Sequence, residues 1–286
     1  MKNNEDFIID LHTHTCYSDG ELTPDELIKH AYDKNVRTLA ITDHDTIRGL
    51  KNINYDMNIL KEIKFIPGIE LSAKVDKGVM HILGYGIDMD NERLNKKMNE
   101  LRDNRMHACL SLMEQIKRDY GILFGYEDII NLINSNHNLG KPDLAKLCVK
   151  NGYAKNIQDA FDKYLLSSYE KVRGTNKRLT YQECINLIIE SGGIPVLAHP
   201  KTLKLTEKEL LILVKEMITY GLQGIEVYHS THTIDESEFY IGMASKYDLL
   251  ISGGSDYHGK NVKPDIEVGT GKGNLKIKKL SLLNKL

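Results

Sequence analysis

Short apolar runs of strand length recur along the chain at 7–11, 37–42, 64–70, 79–85, 194–198, 224–228 and 249–253, and most of them stop at a polar or ionisable cluster. Helix starts stand between several of these runs. Thr23-Pro24-Asp25-Glu26 offers an N-cap, a proline at the first helical position and acids in the first turn, ahead of apolar Leu27, Ile28 and Ala31. The same start recurs at Thr206 before Leu210, Leu211, Leu213 and Val214, and at Thr180 before Cys184, Leu187 and Ile188. Strands alternating with helices predict an α/β fold built on a parallel sheet, open or closed.

From Asp88 to about Glu190 the periodicity becomes helical. Leu101, His107, Leu110, Met113, Ile116 and Lys117 follow one another along a single long charged helix, and Gly121, Gly125, Gly140 and Gly152 divide the remainder into shorter ones. Strand-type segments resume at Ile194. The expected organisation is therefore a discontinuous barrel-like domain, residues 1–90 and 191–286, interrupted by a helical insertion over 91–190.

Composition narrows the function. With 38 Lys+Arg against 40 Asp+Glu in 286 residues, the formal charge is −2. A protein that coats nucleic acid or an anionic membrane carries a basic excess, so neither stable duplex binding nor a membrane is expected as a partner. Hydrophobic content of 41% is that of a globular chain with a sizeable core. The four cysteines, Cys16, Cys109, Cys148 and Cys184, form no C-x-x-C pair, no secretory leader fits the polar N-terminus, and no apolar run is long enough to span a bilayer. These features predict a cytoplasmic protein.

The chemistry gathers where the runs end, the position at which parallel α/β folds collect functional groups. His12, His14 and Asp19 follow the first run; Asp43, His44 and Asp45 follow the second. Glu70 ends the third, His81 opens the fourth and His199 follows the fifth. The sixth carries Glu226 and leads to His229 and His232, and the seventh leads to Ser255, Asp256 and His258. One H-x-H pair carries little information. Consecutive strand ends that all offer imidazole or carboxylate point to a site for Zn²⁺, Mn²⁺ or Fe²⁺. A single catalytic zinc needs about three protein ligands. Eight or nine candidates suit two or three metals, whose characteristic work is phosphate-ester hydrolysis through an activated bridging water.

The motifs His12-Thr13-His14-Thr15 with Ser18-Asp19-Gly20, Ile41-Thr42-Asp43-His44-Asp45, Pro67-Gly68-Ile69-Glu70, His81-Ile82-Leu83-Gly84-Tyr85, Leu197-Ala198-His199-Pro200 and Gly253-Gly254-Ser255-Asp256-Tyr257-His258-Gly259 resemble, in order, those of the PHP (polymerase and histidinol phosphatase) superfamily. The resemblance implies a distorted (β/α)7 barrel and a metal-dependent phosphoesterase. It implies that His12, His14, Glu70 and Asp256 hold one metal, Asp19, His44 and His258 a second, and Glu70 with His81 part of a third. In the branch most resembled, the insertion completes the third site with a histidine, where this chain has Asp143 in Gly140-Lys141-Pro142-Asp143; His137 is a weaker substitute. His199 is implied as the phosphate-contacting residue or general acid, and Asp256 is grouped with it as catalytic. Asp43 is expected to orient His44 or pack a turn, and Asp45 to cap the helix that follows. The branch acts on 3′,5′-nucleoside bisphosphates or short RNA ends, so the expected partner is a small nucleotide or the end of a short RNA or DNA. Arg173, Arg178 and His232 are candidate substrate contacts, ahead of Arg102, Arg105, Lys146 and Lys177. Histidinol-phosphate phosphatase and a non-catalytic PHP module are the alternatives.

Overall fold

The computed structural model describes residues 7–135, 138–172 and 178–286. Seven strands, β1 (Ile8–Asp10), β2 (Val36–Ile41), β3 (Lys64–Ala73), β4 (Met80–Tyr85), β5 (Ile194–Leu197), β6 (Gly224–His229) and β7 (Leu250–Gly254), lie side by side in chain order in one sheet. Each apolar run of the sequence corresponds to one of them. The α-helices among the described residues are α1 (Pro24–Asp33), α2 (Arg48–Lys51), α3 (Glu92–Tyr120), α4 (Tyr126–Ile133), α5 (Lys141–Lys150), α6 (Ile157–Ala160), α7 (Leu166–Val172), α8 (Tyr181–Glu190), α9 (Glu207–Thr219) and α10 (Ile234–Tyr247), with short 3-10 or π turns at Asn58–Lys61, Phe161–Leu165, Pro200–Leu203 and Ser281–Asn284. The sheet nearly closes on itself: Leu11 N–H donates to Gly253 O (3.2 Å) and Asp256 N–H to His12 O (2.8 Å), joining the first strand to the last.

The expectation of an all-parallel sheet is corrected at β4, which runs antiparallel to both β3 and β5, while the remaining neighbours are parallel. The reason is local. Residues 74–79 join β3 to β4, too short a link for the crossover of a dozen or more residues that a parallel pair requires, so the chain turns back as a hairpin. The reversal also explains a feature of the sequence. His81 stands at the start of its strand, and in a reversed strand the start lies beside the carboxyl end of β3.

By internal contacts the chain divides into two compact units, Met1–Lys96 with Leu179–Leu286, and Lys97–Arg178. In the first, Leu11, Leu83, Tyr85 and Val196 are fully buried, and Ile277, Leu280 and Leu282 of the C-terminal segment pack into the same core. Ile9 N–H donates to Ile277 O (2.9 Å), which fixes that segment to β1. Helix α8, expected within the insertion, packs against β4 and β5 and buries Cys184, Ile185 and Ile188. The second unit has its own core around Ile116, Leu144, Cys148 and Leu165. Among the described residues, no helix is long and apolar enough to cross a membrane.

Candidate metal centre

His12 and His14 leave β1 on a segment held from two sides. Asp10, fully buried, accepts backbone N–H groups from His12 (3.2 Å), Ser255 (2.8 Å) and Gly269 (2.7 Å) and the Ser255 hydroxyl (2.6 Å). Asp43 accepts the Thr15 N–H (2.7 Å) and the hydroxyls of Thr15 (2.6 Å) and Ser18 (2.7 Å), so it packs the turn that carries Asp19. At Gly254 a side chain has no room: a Cβ there would lie 2.3 Å from the His12 backbone nitrogen and 2.6 Å from its Cβ. The two motifs meet through that close approach of backbones.

Glu70 stands at the centre, with no solvent exposure. Its Oε2 lies 3.2 Å from His12 Nε2, 3.2 Å from His14 Nε2 and 3.0 Å from His44 Nδ1. Its Oε1 lies 2.9 Å from His81 Nδ1 and 2.9 Å from His199 Nε2, and those two nitrogens are 3.3 Å apart. Asp256 Oδ1 joins the first group at 3.6 Å from His12 Nε2 and 3.3 Å from His14 Nε2. A further set forms around Asp19, whose carboxylate oxygens are 3.2 Å from His258 Nε2, 3.7 Å from His44 Nε2 and 3.8 Å from His14 Nδ1. Asp19 is the open side of the cluster, its side chain 54% exposed.

Several of these atoms suit a cation better than they suit one another. His12 Nε2, both ring nitrogens of His14, Glu70 Oε2 and His229 Nε2 are buried without a hydrogen-bond partner. Buried polar atoms are ordinarily satisfied, and nitrogen and carboxylate donors converging on one point form a natural site for a divalent metal. Tautomers agree with this. His258 Nδ1 lies 2.9 Å from the Asp256 carbonyl and His12 Nδ1 lies 2.8 Å from Glu226 Oε1, so each donates its proton there and presents Nε2. His199 Nδ1 likewise meets Thr202 Oγ1 at 2.9 Å, while that hydroxyl is placed to donate to the Val79 carbonyl (2.9 Å), which leaves Nε2 facing Glu70.

Charge reinforces the geometry. Burial alone would raise the Glu70 carboxyl, but the imidazoles of His44, His81 and His12 override it and hold the group well below the usual range. Burial pulls His14 down, yet the carboxylates of Asp256 and Glu70 beside it outweigh that and lift it to about 9. At His44 burial wins over Glu70 and Asp19, and the ring falls to about 3. Asp256 Oδ2 is held by Lys263 Nζ (2.6 Å) and faces His229 Nε2 (3.3 Å), which directs its other oxygen to the histidines.

Of the residues expected from the sequence, His12, His14, Asp19, His44, Glu70, His81, Asp256 and His258 are brought together. His199, expected to contact the phosphate or to serve as general acid, joins them with its Nε2 2.9 Å from Glu70 Oε1. Asp143 is engaged locally: its Oδ2 accepts the Gly140 N–H (2.9 Å) at the start of α5. Asp45 does not cap α2, whose N-cap is Ile47; its Oδ1 accepts the Ser72 N–H (2.8 Å) and ties the β2 loop to β3. His232 is buried, its Nδ1 donating to the Val227 carbonyl (2.8 Å), and burial lowers it to about 4. Arg178 is exposed at the end of the second unit. Arg173, Lys177 and His137 lie outside the described residues. His229, expected with Tyr228 to line the pocket, lies 3.3 Å from Asp256 Oδ2 through Nε2, and Glu226, also on β6, lies 2.8 Å from His12 Nδ1 through Oε1.

The PHP domain model matches residues 10–173, more than half of the chain. The chain belongs to the PHP domain family. This PHP protein is 28% identical over 250 residues to a 3′,5′-nucleoside bisphosphate phosphatase of Chromobacterium violaceum, covering 87% of each chain. It is 30% identical over 268 residues to the 5′-3′ exoribonuclease Rnm of Salmonella typhimurium, covering 92% of this chain and 88% of the relative. Among solved structures it resembles a Bifidobacterium adolescentis protein assigned as a metal-dependent phosphoesterase, with a TM-score of 0.76, 26% identity and coverage of 96% and 94%.

Proposed function

We propose that this PHP-family phosphoester hydrolase removes phosphate from a nucleotide, either a 3′,5′-nucleoside bisphosphate or the end of a short oligonucleotide, at a centre of two or three divalent metals. The observation that carries the reading is Glu70, whose two oxygens face separate sets of imidazoles 2.9–3.2 Å away. One carboxylate shared between ligand sets is what a polynuclear hydrolytic site requires. His12, His14, Glu70 and Asp256 would hold one metal, and Asp19, His44 and His258 a second. Glu70, His81 and His199 would hold a third.

When bound, such metals neutralise charge on the phosphoryl oxygens and make a water a competent nucleophile near neutral pH. The residues do the rest. Burial of His12, His14 and Glu70 keeps bulk water from the ligand atoms and fixes their geometry. Asp19, exposed, marks the side from which a phosphate enters. His199, with Nε2 2.9 Å from Glu70 Oε1 and Nδ1 2.9 Å from Thr202 Oγ1, is placed to serve as a ligand of the third set. The nucleotide substrate is supported by the names of the two sequence relatives. A phosphate-release screen with manganese-loaded protein over nucleoside 3′,5′-bisphosphates, short 5′-phosphorylated RNA and histidinol phosphate tests it. Release from the nucleotides above the rest is expected; release from histidinol phosphate alone contradicts the substrate class.

A further inference from the structure

Glu226 lies on β6, fully buried, and neither of its oxygens faces solvent. Oε1 accepts from His12 Nδ1 at 2.8 Å, and Oε2 accepts the backbone N–H of His199 at 2.7 Å. His12 and His199 belong to different ligand sets on Glu70, and their rings stack at a centroid distance of 5.7 Å. His199 is also one of the few non-glycine residues with positive φ, at +24° (ψ 67°), a conformation an L-residue holds only when its surroundings over-determine it.

We propose that Glu226 is a positioning residue that sets two metal ligands at once: it fixes the His12 tautomer that presents Nε2, and it anchors the strained His199 backbone that aims the ring at Glu70. The inference rests on the metal-centre reading above and adds a residue to it. Glu226 is not itself a ligand, because both oxygens already serve protein donors. A carboxylate behind an imidazole fixes ring orientation and increases its basicity as a ligand. Here a single carboxylate does so for one ring and holds the main chain of another, so the two sets are coupled through the barrel interior. Glutamine at this position has one acceptor oxygen for two donors. It satisfies His12 Nδ1–H or His199 N–H, and turns an amide N–H against the other.

The test uses the full-length protein, stripped of metal and titrated with Zn²⁺, in wild type, Glu226→Gln and His12→Ala. Glu226→Gln should weaken zinc binding about 10- to 100-fold, the range for loss of such a partner. If Glu226→Gln binds zinc like wild type while His12→Ala does not, the proposal is overturned and the metal centre stands. If both bind like wild type, the metal-centre reading fails as well. A measurement that needs no mutant covers the case in which Glu226→Gln does not fold: ring-nitrogen NMR of the zinc-loaded wild type. It should report His12 protonated on Nδ1 and zinc-bound through Nε2. The opposite assignment overturns the proposal.

Discussion

Among single residues, the third ligand set is decided by which side chains stand beside Glu70 and His81. The geometry nominates His199, 2.9 Å from Glu70 Oε1, while the Asp143 carboxylate accepts the Gly140 N–H inside its own unit. His199→Ala should therefore lower the number of metals bound per chain by one, and Asp143→Ala should leave it unchanged while costing roughly 1 kcal/mol in unfolding, the scale of a lost helix cap. Elemental analysis of purified variants checks both. Residues whose role follows from type and place were legible in the sequence: an H-x-H pair after an apolar run, Asp-His after the next, and Asp-x-His after the last already suggest ligands. The proposed ligand role of His199 was not, because it rests on the 2.9 Å approach of its Nε2 to Glu70, a residue 129 positions away. Nor was that of Glu226, since its meaning lies in a hydrogen bond to a residue 214 positions away.

At the scale of elements, the barrel is held by devices that differ in how clearly sequence announces them. Threonine caps with glutamate three residues later were plain at Thr23, Thr180 and Thr206, and all three form reciprocal capping boxes; the fourth, Thr233 with Glu236, lay among the site histidines and was passed over. Strand direction was the harder matter, because an apolar run looks the same in a parallel or an antiparallel sheet and only the short 74–79 link decides β4. Gly254→Ala should weaken metal binding as well as stability, since its Cβ would displace the His12 backbone; unchanged zinc affinity by titration would contradict the close approach. Glu267 ties the C-terminal segment to α1, accepting from His30 Nε2 (2.7 Å) and Lys34 Nζ (2.7 Å). Burial would raise its carboxyl, but Lys34 and His30 prevail and hold it below the usual value. A folded-state pKa below the unfolded one stabilises above the unfolded pKa, and the effect is lost as pH falls through the folded value. Glu267→Gln should thus cost up to about 1 kcal/mol at pH 7, and the difference from wild type should vanish well below roughly pH 4.3. Urea unfolding at several pH values measures it.

At the scale of the molecule, two units with separate cores share one chain, and the ligand residues gathered at the centre all belong to the unit formed by Met1–Lys96 and Leu179–Leu286. Ligands that bind only the folded state stabilise it by mass action. Chelation should therefore lower the unfolding temperature of the barrel unit and leave that of Lys97–Arg178 in place, which calorimetry with and without chelator resolves; equal shifts in both would contradict this division. The formal charge of −2 also gains a meaning at this scale. Asp19, Glu70 and Asp256 count as three of the 40 acids, yet cations held there would offset them, so a nearly neutral chain can carry a locally cationic site. Phosphate-ester hydrolysis at this site is proposed to depend on metals organised by Glu70. Its most direct test is phosphate release from a nucleoside 3′,5′-bisphosphate by manganese-loaded wild type, by the same protein after chelation, and by Glu70→Gln. Release by the first is expected, with a loss of at least about 100-fold in the other two, beyond the 10- to 100-fold typical of an outer partner. Release that survives both chelation and Glu70→Gln would contradict it.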